Sequence, residues 1–210
     1  MFIIDFDDTL FDSELFKQAR IEALARLGVA SDVYQTTYQE AYKSTDGLFA
    51  YSNERHADSL AQRGFEREVV LRALESTHKR LAEFLDSEAI VFLETLKKFH
   101  QPMVLLSIGD PTFQELKIKG SGIENFFDRL FMVDYPKEKV IHELVVAGAP
   151  ENFWFINDKV IETETIVRQF PKARAILKIS PKISIEEYHS SLLPSFTSLL
   201  SIAEYVTANT

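Results

Sequence analysis

The chain has 210 residues, with 23 Lys plus Arg against 32 Asp plus Glu and a formal net charge of -9. That length suits one compact α/β domain with room for a smaller insertion, and an acidic balance argues against a broad nucleic-acid-binding face, which needs clustered positive charge. The absence of cysteine excludes disulfides, thiol catalysis and cysteine-bound zinc.

Met1 to Ile4 are apolar, but Asp5, Asp7 and Asp8 follow at once, so the start reads as neither a signal peptide nor a membrane span. The expectation is a soluble, cytoplasmic protein without membrane or nucleic-acid partners. Phe2-Ile3-Ile4 has the character of a short buried strand that stops at a polar site.

From Ser13 to Phe84 the periodicity is helical. Ser13 is a candidate N-cap, and Leu15, Phe16, Ala19, Ala23, Leu24 and Leu27 recur at helix spacing before Gly28. A second helix is expected from Ser31, a third from Asn53 to Arg63, and a fourth as one piece from Glu66 to Phe84. No strand signal interrupts this block, which predicts a helical unit of its own.

Beyond Asp86 helices and strands alternate. Helix is predicted around Ala89–Leu96, 113–119, 138–147, 160–170 and 192–206, the last interrupted early by Pro194. Strands are predicted at 103–106, 130–133, 153–156 and 175–179. Alternation at this spacing implies a Rossmann-like parallel sheet covered by helices on both faces. Ligands in such sheets bind beyond the carboxyl ends of the strands, which singles out Asp5, Asp7, Ser107, Asp110, Asp134, Lys137, Asn157 and Asp158.

Asp5-Phe6-Asp7-Asp8-Thr9 is the strongest chemical signal. Three carboxylates in four residues repel unless a cation compensates, and magnesium prefers hard oxygen ligands. In an extended segment Asp5 and Asp7 face one site, so one can attack as nucleophile while the other handles a proton. An acidic turn capping the following helix is the alternative.

Phe2 to Leu10 resembles the first motif of the haloacid dehalogenase-like superfamily, an apolar strand followed by Asp-x-Asp-x-Thr, and three weaker motifs follow in the family's order. The resemblance implies a Rossmann-like core built from residues 1–13 and 87–210, with an inserted all-helical cap over 14–86. It also implies an aspartyl-phosphate on Asp5 and a proton-transfer role for Asp7, with Thr9 supporting the loop and Asp8 the turn. Carbon–halogen-cleaving members generally lack an acid at the Asp7 position, so its presence favours phosphoryl transfer.

Ser107 matches the second motif, whose hydroxyl and neighbouring amides, including that of Ile108, would bind a phosphoryl oxygen. Lys137 or Lys139 supplies the third, with Lys137 favoured by its place relative to the helix's apolar face. Asn157-Asp158 with Glu162 stands for the fourth. Asp158 fits the main magnesium ligand, while Asn157 replaces the usual glycine and Glu162 the usual second aspartate. Glu162 orients Lys137 or a metal-bound water in one reading, and Asn157-Asp158 merely caps a helix in another.

The implied cofactor is Mg2+, held by Asp5, the main-chain carbonyl of Asp7, and Asp158. The implied substrate is a small phosphorylated metabolite, which the cap would cover with residues drawn from Arg20, Tyr42, Lys43, Tyr51, Arg55, His56, Lys79 and Arg80. Phosphatase is the leading reading. A phosphomutase or a catalytically weak binding protein are the alternatives, and a dehalogenase is least favoured. The five histidines have no metal-ligand spacing, and Trp154 reads as core.

Overall fold

The structure is a computed structural model, and residues 1–42 and 51–210 are described; Lys43 lies outside them. Six strands form one sheet: β1 (Phe2–Ile4), β2 (Met103–Ile108), β3 (Arg129–Val133), β4 (Trp154–Asn157), β5 (Arg174–Lys178) and β6 (Ser195–Phe196). Their order is β3-β2-β1-β4-β5-β6, and every adjacent pair is parallel. These are apolar runs because both faces are covered. Phe2, Ile4, Leu105 and Ile156 pack on one side against α5 (Ala89–Lys97), α6 (Pro111–Ser121) and α10 (Leu199–Ala208). Ile3, Val104, Leu106 and Phe155 pack on the other against α7 (Lys137–Val146) and α8 (Val160–Gln169).

The chain builds outward from β1 through β2 to β3, then crosses back to place β4 on the other side of β1. The crevice where the order reverses lies at the ends of β1 and β4. Ile4 is level with Leu105 and Ile156, so the register brings Asp5, Ser107 and Asn157-Asp158 to the same edge.

Between β1 and β2 come α1 (Ser13–Ala25), α2 (Ser31–Tyr42), α3 (Asn53–Ala61) and α4 (Arg67–Ser76). Leu24, Val29, Tyr34, Ala57, Leu60, Val70 and Leu74 form a cluster of their own, separate from the clusters on the sheet. The segments entering and leaving this unit run side by side: Asp12 N–H donates to the Phe84 carbonyl at 2.7 Å, and Asp86 N–H to that of Leu10 at 2.9 Å. Phe11, Phe16, Leu81 and Phe84 at this junction belong to the sheet's cluster.

Three local expectations are corrected. Asp12, not Ser13, caps α1, its side chain accepting from Leu15 N–H at 2.8 Å. The segment 66–84 is not one helix: α4 ends at Ser76 and Thr77–Phe84 is a 3-10 stretch. Ser76 and Thr77 turn their hydroxyls back onto the carbonyls of Ala73 and Leu74, both at 2.6 Å, which competes with regular α-helical bonding. The stretch 192–206 is also divided. A short α9 (Ile185–Ser190) precedes it, the Pro194 carbonyl accepts from Leu177 N–H at 2.9 Å, Ser195–Phe196 pairs with β5, and Ser198 caps α10. Proline, lacking an N–H, sits well at the start of an edge strand and poorly inside a helix.

Candidate active site

The turn after β1 carries the site. Asp5 N–H still donates to the Ile156 carbonyl at 2.9 Å, so Asp5 is fixed by the sheet and buried at its edge. Its Oδ2 accepts from Thr9 Oγ1 at 3.3 Å and its Oδ1 from Lys137 Nζ at 2.6 Å. Asp8 takes φ +62°, which turns the chain; its carboxylate accepts from Ser13 N–H and pairs with Lys182 at 2.9 Å.

Lys137, at the start of α7, is the lysine that reaches Asp5. It is buried, and it also pairs with Glu162 at 2.8 Å and donates to Asn157 Oδ1 at 3.1 Å. Burial disfavours its charge, but Asp5 and Glu162 outweigh this and raise its pKa. Lys139 is exposed, its Nζ 4.8 Å from the centre of the Tyr135 ring. Glu162 accepts from Asn157 Nδ2 at 2.9 Å. Of the two placements open to Glu162, the geometry takes the one beside Lys137. Asn157 also donates to Thr163 Oγ1 at 3.0 Å, so the residue standing where glycine was expected joins β4 to α8.

Burial pushes the Asp5 carboxyl up, against the pull of Lys137 and Lys159. Asp158 is pushed up to about 8, by burial first and then by the neighbouring Asp5 charge. Asp158 Oδ1 is buried with no partner. A cation between the two carboxylates would lower both and satisfy that oxygen. Among the described residues no group of three His, Cys, Asp or Glu side chains is placed to hold a metal ion. The expected set needs only two carboxylates and a main-chain carbonyl, and the residues fit it.

Ser107 Oγ, at the end of β2, is likewise buried and unpartnered. Ile108 follows it in the cavity wall, and its carbonyl accepts from Gln114 Nε2 at 3.0 Å. A Cβ on Gly109 would lie 2.5 Å from that same Nε2, so a side chain there would displace Gln114 from the Ile108 carbonyl.

Asp7 meets residues that the sequence did not single out. Lys117 Nζ lies 2.5 and 2.8 Å from its two oxygens, Gln114 Nε2 donates at 2.7 Å and Ser13 Oγ at 3.0 Å. Burial alone would raise the Asp7 carboxyl, but Lys117, Gln114 and Ser13 together hold it below its ordinary value. The available signal was the three-residue spacing of Gln114 and Lys117, which puts them on one face of the helix after Ser107. Lys159, also missed, follows Asp158 directly and lines the cavity.

Asp5, Asp7, Ser107, Lys117 and Lys159 open into a cavity of about 1040 Å³ between the strand ends and the helical unit. Its walls include Asp5, Asp7, Ser107 and Lys117 from the core and Phe16, Arg20, Tyr38, Tyr42 and Tyr51 from the helices. Of the remaining helical candidates, His56 is buried, while Lys79 and Arg80 are exposed, Arg80 pairing with Glu83 at 2.8 Å. Arg55 donates to the Ala41 carbonyl at 2.9 Å. Asp134 and Asp110 line the cavity, Asp110 capping α6 through Phe113 N–H at 3.0 Å.

A six-stranded parallel sheet in this order, with a helical unit inserted after the first strand, is the fold of the haloacid dehalogenase-like hydrolases. A haloacid dehalogenase-like hydrolase from Burkholderia xenovorans LB400 superposes with a TM-score of 0.78 at 17% identity, over 99% of this chain and 96% of that one. A HAD-hydrolase from Bacillus subtilis bound to magnesium gives 0.62 at 15% identity, covering 97% and 96%. L-2-haloacid dehalogenase from Xanthobacter autotrophicus gives 0.64 at 15%, covering 99% of both chains. No family model and no curated protein matches the sequence.

Proposed function

We propose that the protein is a magnesium-dependent hydrolase that removes phosphate from a small phosphorylated metabolite through a phosphoryl group carried on Asp5. The observation that carries this reading is the pairing of two unsatisfied buried atoms, Ser107 Oγ and Asp158 Oδ1, at the strand ends that flank Asp5. Buried polar atoms normally find partners, and these two suit a phosphoryl oxygen and a cation respectively. The magnesium-bound neighbour of the same fold supports the choice of metal.

Asp5 attacks phosphorus and the bond to the leaving oxygen breaks. Ser107 donates to a phosphoryl oxygen, and Lys137 offsets the charge of Asp5 so that a second anion can approach. Asp5, Asp158 and the Asp7 carbonyl would hold magnesium, which would supply positive charge beside the phosphate. Water then cleaves the Asp5 phosphoryl bond. Proton transfer is assigned to Asp7 acting with Lys117, whose ion pair lines the same cavity as Asp5.

A second reading is favoured by the same ion pair. An Asp7 held as carboxylate is a poor acid, and a leaving halide needs none; the dehalogenase of this fold acts on such substrates. The experiment is release of phosphate from a panel of phosphorylated metabolites, and of halide from 2-haloacids, with and without magnesium, for the native chain and Asp5→Asn. Magnesium-dependent phosphate release lost in the variant supports the proposal; halide release without phosphate release replaces it. Retained phosphate with an isomerised product would indicate a mutase. A cysteine-free chain suits the cytoplasmic setting proposed for such an enzyme, and among the described residues no helix is long and apolar enough to cross a membrane.

A further inference from the structure

Arg20 projects from α1 into the wall of the cavity and is only 2% exposed. Arginine is almost never buried without a carboxylate partner. Among the described residues none forms an ion pair with Arg20. Its guanidinium carbon lies instead 4.6, 5.3 and 5.6 Å from the ring centres of Tyr51, Phe16 and Phe113.

A chain of hydrogen bonds fixes one side of the group. Nη2 donates to Tyr51 Oη and, at 2.8 Å, to Asn53 Oδ1. Tyr51 Oη lies 2.9 Å from His56 Nδ1, and His56 Nε2 lies 2.9 Å from Thr37 Oγ1. Because the Thr37 hydroxyl donates to the Val33 carbonyl at 2.8 Å, Nε2 is the donor to Thr37 and Nδ1 accepts from Tyr51. Burial pushes the His56 pKa down to about 3, so the ring is neutral and leaves the Arg20 charge unopposed. On the other side the Tyr34 hydroxyl faces the guanidinium, and among the described residues neither it nor Nη1 makes a hydrogen bond of ordinary geometry although both are buried. An uncompensated cation with an idle donor, in the wall of the cavity that holds Asp5, is built for an anion that arrives with the ligand.

We propose that the substrate carries a second anionic group, at the end away from the phosphate held by Asp5, and that Arg20 receives it through Nη1. Arg20 lines the cavity together with Tyr51 and Phe16, so the guanidinium stands where a ligand's far end can reach it. This inference rests on the phosphatase reading for the identity of the first group, but the anion site at Arg20 stands on its own geometry.

The test compares primary-alcohol phosphates of graded chain length whose far end is a methyl, a carboxylate or a second phosphate. The ratio of kcat/KM for each charged ester over its methyl counterpart should fall at least about tenfold in Arg20→Gln. The carboxylate and bisphosphate arms tell which anion is preferred. An unchanged ratio overturns the proposal. Thermal melting checks the fold of the variant. Should Arg20→Gln not fold, Arg20→Lys keeps the charge but loses the planar second donor, and must lower the ratio too. A calorimetric titration of succinate and glutarate into Asp5→Asn and into Asp5→Asn/Arg20→Gln separates the two readings. Binding that needs Arg20, in a protein that hydrolyses no phosphate ester, leaves the anion site standing and removes the phosphatase; binding to neither protein, or equally to both, removes the site.

Discussion

Lowering the pH should destabilise the helical unit through His56. His56 is 0% exposed, and in its neutral form Nε2 donates to Thr37 while Nδ1 accepts from Tyr51. Burial, reinforced by the Arg20 charge, pushes its pKa down to about 3, with Glu40 opposing. In the unfolded chain the group titrates near about 6.5. Between those values the unfolded state takes a proton that the native state refuses, so stability falls as pH falls, from near the unfolded value downward. At about pH 5 the deficit is one and a half pH units at about 1.4 kcal/mol each, or about 2 kcal/mol. That corresponds to about 4–8 °C in melting temperature for a chain of this size. The assay is thermal melting of the native protein and His56→Gln at about pH 7.5 and about pH 5, each a pH chosen to bracket the unfolded histidine. Contributions from carboxylates and from His78 are common to both proteins, so the stability advantage of the native chain should shrink by about 2 kcal/mol at the lower pH. Parallel profiles would refute the neutral, acceptor form of His56 and with it the derived hydrogen-bond chain to Arg20.

Lys137→Met should leave Asp5 and Glu162 as buried charges without their cation, costing about 3–5 kcal/mol in denaturant unfolding as well as the activity. Ser107→Ala removes a hydroxyl that has no partner in the fold, so stability should hold while phosphate-ester turnover falls by about tenfold to a thousandfold, measured as kcat against melting temperature. Lys117→Met removes the charge that holds Asp7 low, so its pKa rises; the limb of the pH–rate profile that requires Asp7 protonated should move to higher pH.

The sheet was legible because its strands are short apolar runs with polar stops, and the stops mark where the site lies. Asp5, Ser107, Lys137 and Asp158 were all named from those positions; register brings Asp5, Ser107 and Asp158 to one edge, and Lys137 reaches Asp5 from the start of α7. Lys137 was separable from Lys139 because only one of them shares the inner side of α7 with Val140 and Ile141. What the sequence hid is set by distance in the chain. Lys117 meets Asp7 across 110 positions, and the only local sign that separates it from the solvated Lys119, which pairs with Glu115, is that it shares a helix face with Gln114. Arg20 reads as one charged helix residue among many; only the tertiary packing of Tyr51, Phe16 and Phe113 shows that it is buried. The division of 66–84 and of 192–206 turned on hydroxyl and proline bonding inside apparently continuous helical patterns.

The most direct measurement is acid quench of the protein during turnover of a phosphorylated substrate with magnesium, followed by peptide mass mapping. The account predicts the mass of one phosphoryl group on Asp5, absent without magnesium and absent in Asp5→Asn. Steady phosphate release with no phosphoryl on Asp5, or release that survives Asp5→Asn, would contradict it.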